Sequence, residues 1–237
     1  MGQLVAEKTW SVQGVTIDLP VRIRDAEMAS AVFTARPAEA SALLAGTGLR
    51  PLTVAGRAVS MLMLVHYGEW VLGSYDEVGV GLFTRGPGGR VGLHLVDLPV
   101  TGKLTCEAGQ DIWGLPKWLM RAGLAFDGAS ASVTVHDGET FVLRAVLRAG
   151  RLPVPFGVRS RLGTWSRLDH GAQAGVLLRG TAPMTLHGTH LGRGAMTVEL
   201  GDHPMARRMA ALGMTRRPLL TLHADRLHGD LDAFRPS

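Results

Sequence analysis

Thiol chemistry is almost absent from this 237-residue chain, whose single cysteine is Cys106. One cysteine makes no intramolecular disulfide, so nothing points to an oxidising compartment. No neighbouring feature marks Cys106 as activated, and it reads as a small buried or half-buried thiol. Long apolar runs are missing too. No stretch approaches the length of a bilayer-spanning helix, and residues 1–10 lack the continuous apolar run of a signal peptide. The expectation is a cytoplasmic protein with no membrane association. Lysine is scarce: Lys8, Lys103 and Lys117 stand against 22 arginines. Where mere positive charge is needed this chain carries Arg, whereas imine chemistry requires an amine that can lose its proton.

What is present is ordinary globular material. Hydrophobic residues make up 46% and charged residues 19%, enough to bury a core. The net charge of +5 is spread along the chain without a dense basic run or interleaved aromatics, so a solvated basic surface is expected and no nucleic-acid partner. No repeat, low-complexity tract or convincing linker divides residues 1–237, which are taken as a single domain. Residues 151–170 mix Pro, Gly and Arg and read as a long connection.

Period-two patterning predicts strands over 28–35, 58–66, 69–83 and 91–99, with a hairpin turn at Gly86-Pro-Gly-Gly89. The pattern recurs from Ser130 to Arg148 around Asp137-Gly138, a strong hairpin signal, and again at 182–190, 195–200 and 219–224. Two helices are expected. One starts at Pro37 and runs to Ala45, with Pro at a first-turn position; the other runs from Pro204 to Leu212 and stops at Gly213. The fold class is mainly β with short peripheral helices.

Several chemistries find no pattern. His187 and His190 are three apart and would share a face only on a helix, while their segment reads as strand and turn, so no metal is expected. The Gly-rich pieces fit neither a phosphate loop nor a dinucleotide fingerprint, and Ser74 lacks a nucleophile elbow.

Three separated elements combine instead. Gly109-Gln-Asp-Ile-Trp-Gly-Leu-Pro-Lys117 resembles the acetoacetate decarboxylase superfamily's Gly-Arg-Glu-x-x-Gly-aromatic-Pro-Lys segment, which carries a Schiff-base lysine. Gly73-Ser-Tyr-Asp-Glu77-Val-Gly79 is similar to that superfamily's Tyr-x-Glu-x-Gly strand, whose Glu lies at the active site. Arg36, in Phe33-Thr-Ala-Arg36-Pro, is placed like an early strand-to-helix Arg. A weaker echo occurs at 203–213. The resemblance implies antiparallel sheets forming a cone-like barrel, a homo-oligomer and no cofactor. It implies that Lys117 and Glu77 are catalytic, with Glu77 orienting substrate or moving protons. Arg36 would then hold a substrate carboxylate or position Glu77, and Trp113 and Trp118 would either line the substrate pocket or pack in the core.

A lysine is almost wholly protonated at neutral pH, so imine formation needs a dry setting or a nearby cation; acetoacetate decarboxylase is the standard example of such an activated lysine. This chain departs from the decarboxylases in having Trp118 where they carry a second Lys. Gln110-Asp111 replaces the usual Arg-Glu. Counting back from Glu77 puts Leu62 where they place another acid. The expected function is a Schiff-base lyase, decarboxylating or of the aldolase-dehydratase or cyclase kind sometimes found in secondary metabolism, acting on a small keto acid or related carbonyl compound. The competing expectation is a non-catalytic protein that holds a hydrophobic carboxylate in the same pocket, with Lys117 as its ion-pair partner.

Overall fold

The computed structural model describes residues 2–170 and 174–237. The chain opens with a three-stranded antiparallel meander, β1 (Gln3–Ala6), β2 (Thr9–Val12) and β3 (Val15–Asp18). A short strand follows, β4 (Val21–Ile23). Next come β5 (Ala26–Ala35), helix α1 (Pro37–Leu43) and two very short strands, β6 (Arg50–Pro51) and β7 (Thr53–Val54). Three long strands, β8 (Arg57–Tyr67), β9 (Tyr75–Arg85) and β10 (Val91–Val100), then form an antiparallel succession, β8 against β9 and β9 against β10. A tight turn at Pro87–Gly89 joins β9 to β10, as the sequence predicts.

Helix α2 (Lys103–Trp113) leads into β11 (Lys117–Leu119). A four-stranded sheet is built from β12 (Arg121–Asp127), β13 (Ser130–Asp137), β14 (Thr140–Arg148) and, later in the chain, β18 (Ala195–Leu200). Its strands β13 and β14 meet at Asp137-Gly138, where Gly138 takes the left-handed conformation that a tight hairpin requires. Between β14 and β18 lie β15 (Leu152–Val154), β16 (Val158–Ser166) and β17 (Leu178–Gly192). Helix α3 (Pro204–Ala211), β19 (Leu220–Leu231) and β20 (Arg235–Pro236) complete the chain.

Seven strands close into a barrel in the order β10, β16, β17, β19, β5, β8, β9, with β9 returning to β10. β16 borders β10 only at Leu93 and His94, and β11 takes the same flank further along, at Leu98 to Val100. The wall strands are apolar on both faces because both are covered. On β8, Leu62 and Leu64 face outward into a core shared with Val133, Val135, Leu143 and Leu147 of the four-stranded sheet. Met61 and Met63 face inward, where the barrel holds a cavity of about 230 Å³. Helix α3 is tied to the wall by Arg208, whose guanidinium bonds the buried Asp97 carboxylate of β10 through two nitrogens.

Three local expectations are corrected. Residues 69–74 are turn, with Gly73 at φ 78, so β9 begins at Tyr75. Residues 151–170 are not one connection, since they contain β15 and β16, the latter a barrel strand. Helix α2 was not expected at all; its apolar positions follow a helical period, but its two interior strand-like residues and lone Gly109 hide it.

Candidate active site

The site is built around the exit of α2. Gly114 ends the helix in a left-handed conformation, φ 59. Its amide bonds Gln110 O, while the next amide, of Leu115, reaches back to Gly109 O, both at 3.0 Å. This paired closure reverses the chain sharply and needs a residue without a Cβ penalty at Gly114. Pro116 cannot continue a helix, and the chain leaves as β11, parallel to β10, with Lys117 opposite Leu98. Gln110 Nε2 donates to Lys117 O at 2.6 Å, fixing the strand against the helix it has just left.

Gly109 has a second role. A Cβ there would fall 2.3 Å from Lys117 Cδ, so the lysine stem lies directly over the bare backbone of α2. Thr105, one turn earlier on the same helix face, accepts a hydrogen bond from Lys117 Nζ at 2.9 Å. The spacing of the Gly109-to-Lys117 segment thus has a packing reason: one helical face holds both the stem and the tip of the lysine.

Glu77 comes from β9, where alternation puts Tyr75, Glu77, Gly79 and Gly81 on the inner face. Lys117 Nζ lies 2.9 Å from Glu77 Oε2, and both side chains are nearly sealed from solvent, at 4% and 5% exposure. The other carboxylate oxygen, Oε1, accepts from Tyr67 Oη at 3.3 Å. Tyr67 stacks on Tyr75 at 4.6 Å and on Trp70 at 5.3 Å between ring centroids. The Tyr75 ring in turn lies 5.0 Å from Lys117 Nζ. Burial, reinforced by the Glu77 charge, holds both phenols well above their usual pKa, so each stays a neutral donor. Cys106 on α2 is pushed up by burial, an effect that the Lys117 charge partly offsets.

Lys117, Glu77 and Trp113 therefore meet at one cavity. Trp113 is fully buried there and donates its Nε1 hydrogen to Asp232 O at 3.0 Å. Two expected residues are not brought to it. Arg36 stands at the start of α1 without a capping hydrogen bond from its side chain, which is 66% exposed and paired to Glu39 at 3.2 Å, because Pro37 turns the chain outward as β5 ends. Trp118 follows Lys117 on a strand and so points to the opposite face, where it packs beside His203 at 5.3 Å. Neither Arg36 nor Trp118 lines the cavity.

Tyr67, Thr105 and the inward Met61 and Met63 were missed by sequence reasoning. Tyr67 had a signal, since it and Tyr75 are the chain's two tyrosines. Thr105 was hidden with the helix that carries it. The count that put Leu62 at the family's second acidic position is corrected by the register: Leu62 pairs with Val80 and faces the outer core. Gln110 and Asp111, in place of the family's Arg-Glu, act structurally, with Asp111 accepting from the Gly2 amide.

Among the described residues, Glu27, His223 and Asp225 form the one cluster of metal-capable side chains. Glu27 addresses Nε2 of His223 at 3.0 Å and Asp225 addresses Nδ1 at 3.4 Å. Carboxylates on opposite ring nitrogens clamp an imidazole rather than converge on one ion with it.

Residues 6–229 match the family described as acetoacetate decarboxylase (ADC). None of the curated protein sequences matches. Among solved structures, the acetoacetate decarboxylase of Legionella pneumophila superposes with a TM-score of 0.74 at 16% identity, covering 92% of this chain and 87% of that one. An acetoacetate decarboxylase-like enzyme from Sphingomonas wittichii RW1 gives 0.63 at 16% identity, covering 93% and 94%. The enduracididine biosynthesis enzyme MppR, complexed with pyruvate, gives 0.66 at 14% identity, covering 93% and 91%. At these identities the superpositions establish the shared fold.

Proposed function

The chain belongs to the acetoacetate decarboxylase family, and on that footing we propose that it is a lyase working through a Schiff base on Lys117. The observation that carries this reading is a buried amine at the wall of an apolar cavity, 2.9 Å from the carboxylate of Glu77. Glu77 takes a proton from Nζ, and the freed lone pair attacks the substrate carbonyl carbon. That proton, returned by Glu77, and one of the two still on the nitrogen pass to the former carbonyl oxygen, which leaves as water, so a protonated imine remains with Glu77 as its counterion. The imine draws electrons from the adjacent carbon, so loss of carbon dioxide or of an α-proton gives an enamine. Protonation of the enamine, or its addition to a second carbonyl, followed by hydrolysis returns Lys117. Decarboxylation and aldol-dehydration chemistry share these steps, and what both require is a carbonyl carbon open to attack by Lys117, as in the pyruvate with which MppR is complexed.

Tyr67 orients Glu77, and its raised pKa keeps it a donor throughout the working pH range. Thr105 fixes the direction of Nζ. A binder that used Lys117 to pair with a ligand carboxylate would have to displace Glu77, which already serves as the counterion.

Exchange of carbonyl oxygen with ¹⁸O-water tests the reading, because each cycle of imine formation and hydrolysis replaces that oxygen. The expected result is exchange above the uncatalysed background with wild-type protein and none above it with Lys117→Arg. Equal exchange by both would contradict it.

A further inference from the structure

The cavity has an unusual charge inventory for a site that handles keto acids. Among the described residues lining it, Lys117 and Glu77 are the only charged side chains, and they neutralise each other. The remaining polar groups are neutral hydroxyls and the edges of buried aromatics. A small keto acid would bring a carboxylate into this space, and the imine formed at Lys117 would then face two anions, the substrate's and Glu77. Among the described residues, neither an arginine nor a histidine lines the cavity to take the second. Arg36 is far from supplying that charge, with its side chain in solvent and paired to Glu39.

The walls are correspondingly oily. Beside Glu77 the strand carries Gly79 and Gly81, and the room they leave is filled by side chains from neighbouring strands. A Cβ on Gly79 would fall 2.5 Å from Met63 Cε, and one on Gly81 would fall 2.8 Å from Leu93 Cδ1. Met28, Met61 and Leu162 add further apolar surface. Methionine is flexible and polarisable, so this lining adapts to chains of differing shape. An unpaired ion is costly in such surroundings, whereas each methylene gains from leaving water.

We infer that the substrate is a carbonyl compound bearing an uncharged hydrocarbon chain, rather than a small keto acid held by its carboxylate. The carbonyl carbon meets Lys117, and the chain lies along the Met and Leu side chains of the barrel interior. This rests on Lys117 forming an imine, and it narrows that reading to one class of substrate.

The test is a homologous series of straight-chain 2-alkanones from acetone upward, set against pyruvate and acetoacetate. Two readouts are taken: borohydride trapping on Lys117, and quenching of tryptophan fluorescence, to which Trp70 and Trp113 in the cavity wall report occupancy without any covalent step. The half-saturating concentration should fall about fourfold per added methylene until the cavity is filled, with the longer ketones preferred to both keto acids by at least about tenfold. Length-dependent quenching with no adduct would support the ligand class and remove the imine reading. A flat series, or pyruvate or acetoacetate binding as well as the longer ketones, would overturn the inference.

Discussion

Lys117 and Glu77 stand on strands either side of β10, and their charged atoms meet across it at 2.9 Å, almost wholly out of solvent. An ammonium and a carboxylate at that distance can pass one proton between them without moving heavy atoms. Neither strand achieves this alone. It requires β11 to take up the flank of β10 that β16 leaves.

Replacing Glu77 by Gln keeps the shape and removes both the counterion and the proton acceptor. Turnover and imine trapping should fall by about 10²–10⁴-fold. Stripping one partner from a buried pair should also lower stability by about 3–5 kcal/mol. Stopped-flow trapping and urea unfolding separate the two effects. Tyr67→Phe should cost only about 0.5–1.5 kcal/mol, the value of one hydrogen bond.

Gly109→Ala should damage the site although the residue carries no functional group. The added methyl would meet the lysine stem at 2.3 Å, and overpacking of this kind costs about 1–3 kcal/mol. Lys117 must swing away, so trapping should drop more than tenfold while circular dichroism stays that of a folded β protein. An unchanged trapping rate would show that the stem does not lie over Gly109.

Both tyrosines should resist ionisation. Their folded pKa lies above the unfolded value near 10, so the folded state binds these protons more tightly than the unfolded chain does. As pH rises above 10 the unfolded state sheds them first, and stability falls. Tyrosinate absorbance should therefore appear only together with loss of structure, which a joint absorbance and circular dichroism titration would reveal.

Much of this was legible beforehand, and the gaps have physical causes. The barrel strands announced themselves by alternation, and Lys117 and Glu77 by motif spacing. Arg36 and Trp118 lie away from the cavity because spacing along a chain does not say which way a side chain faces; a helix start at Pro37 and a one-residue step along β11 decided both. Tyr67 lies ten residues before Glu77, and only the β8–β9 register brings the two together. The apolar character of the cavity was anticipated, although through Leu62, which proves to be on the other side of the wall.

Asp97→Ala should loosen α3 without touching the chemistry. The carboxylate is buried and bonded twice by Arg208, so its loss should cost about 3 kcal/mol. Denaturant midpoints should shift while imine trapping by the folded fraction remains at the wild-type level.

Borohydride reduction in the presence of a carbonyl ligand, followed by peptide mass mapping of all three lysines, tests whether Lys117 is the imine-forming amine. The ligands are the 2-alkanones, pyruvate, acetoacetate and larger 2-keto acids. One reduced adduct is expected, on the peptide containing Lys117, with Lys8 and Lys103 unmodified. No adduct with any ligand, or equal labelling of the three lysines, would contradict it.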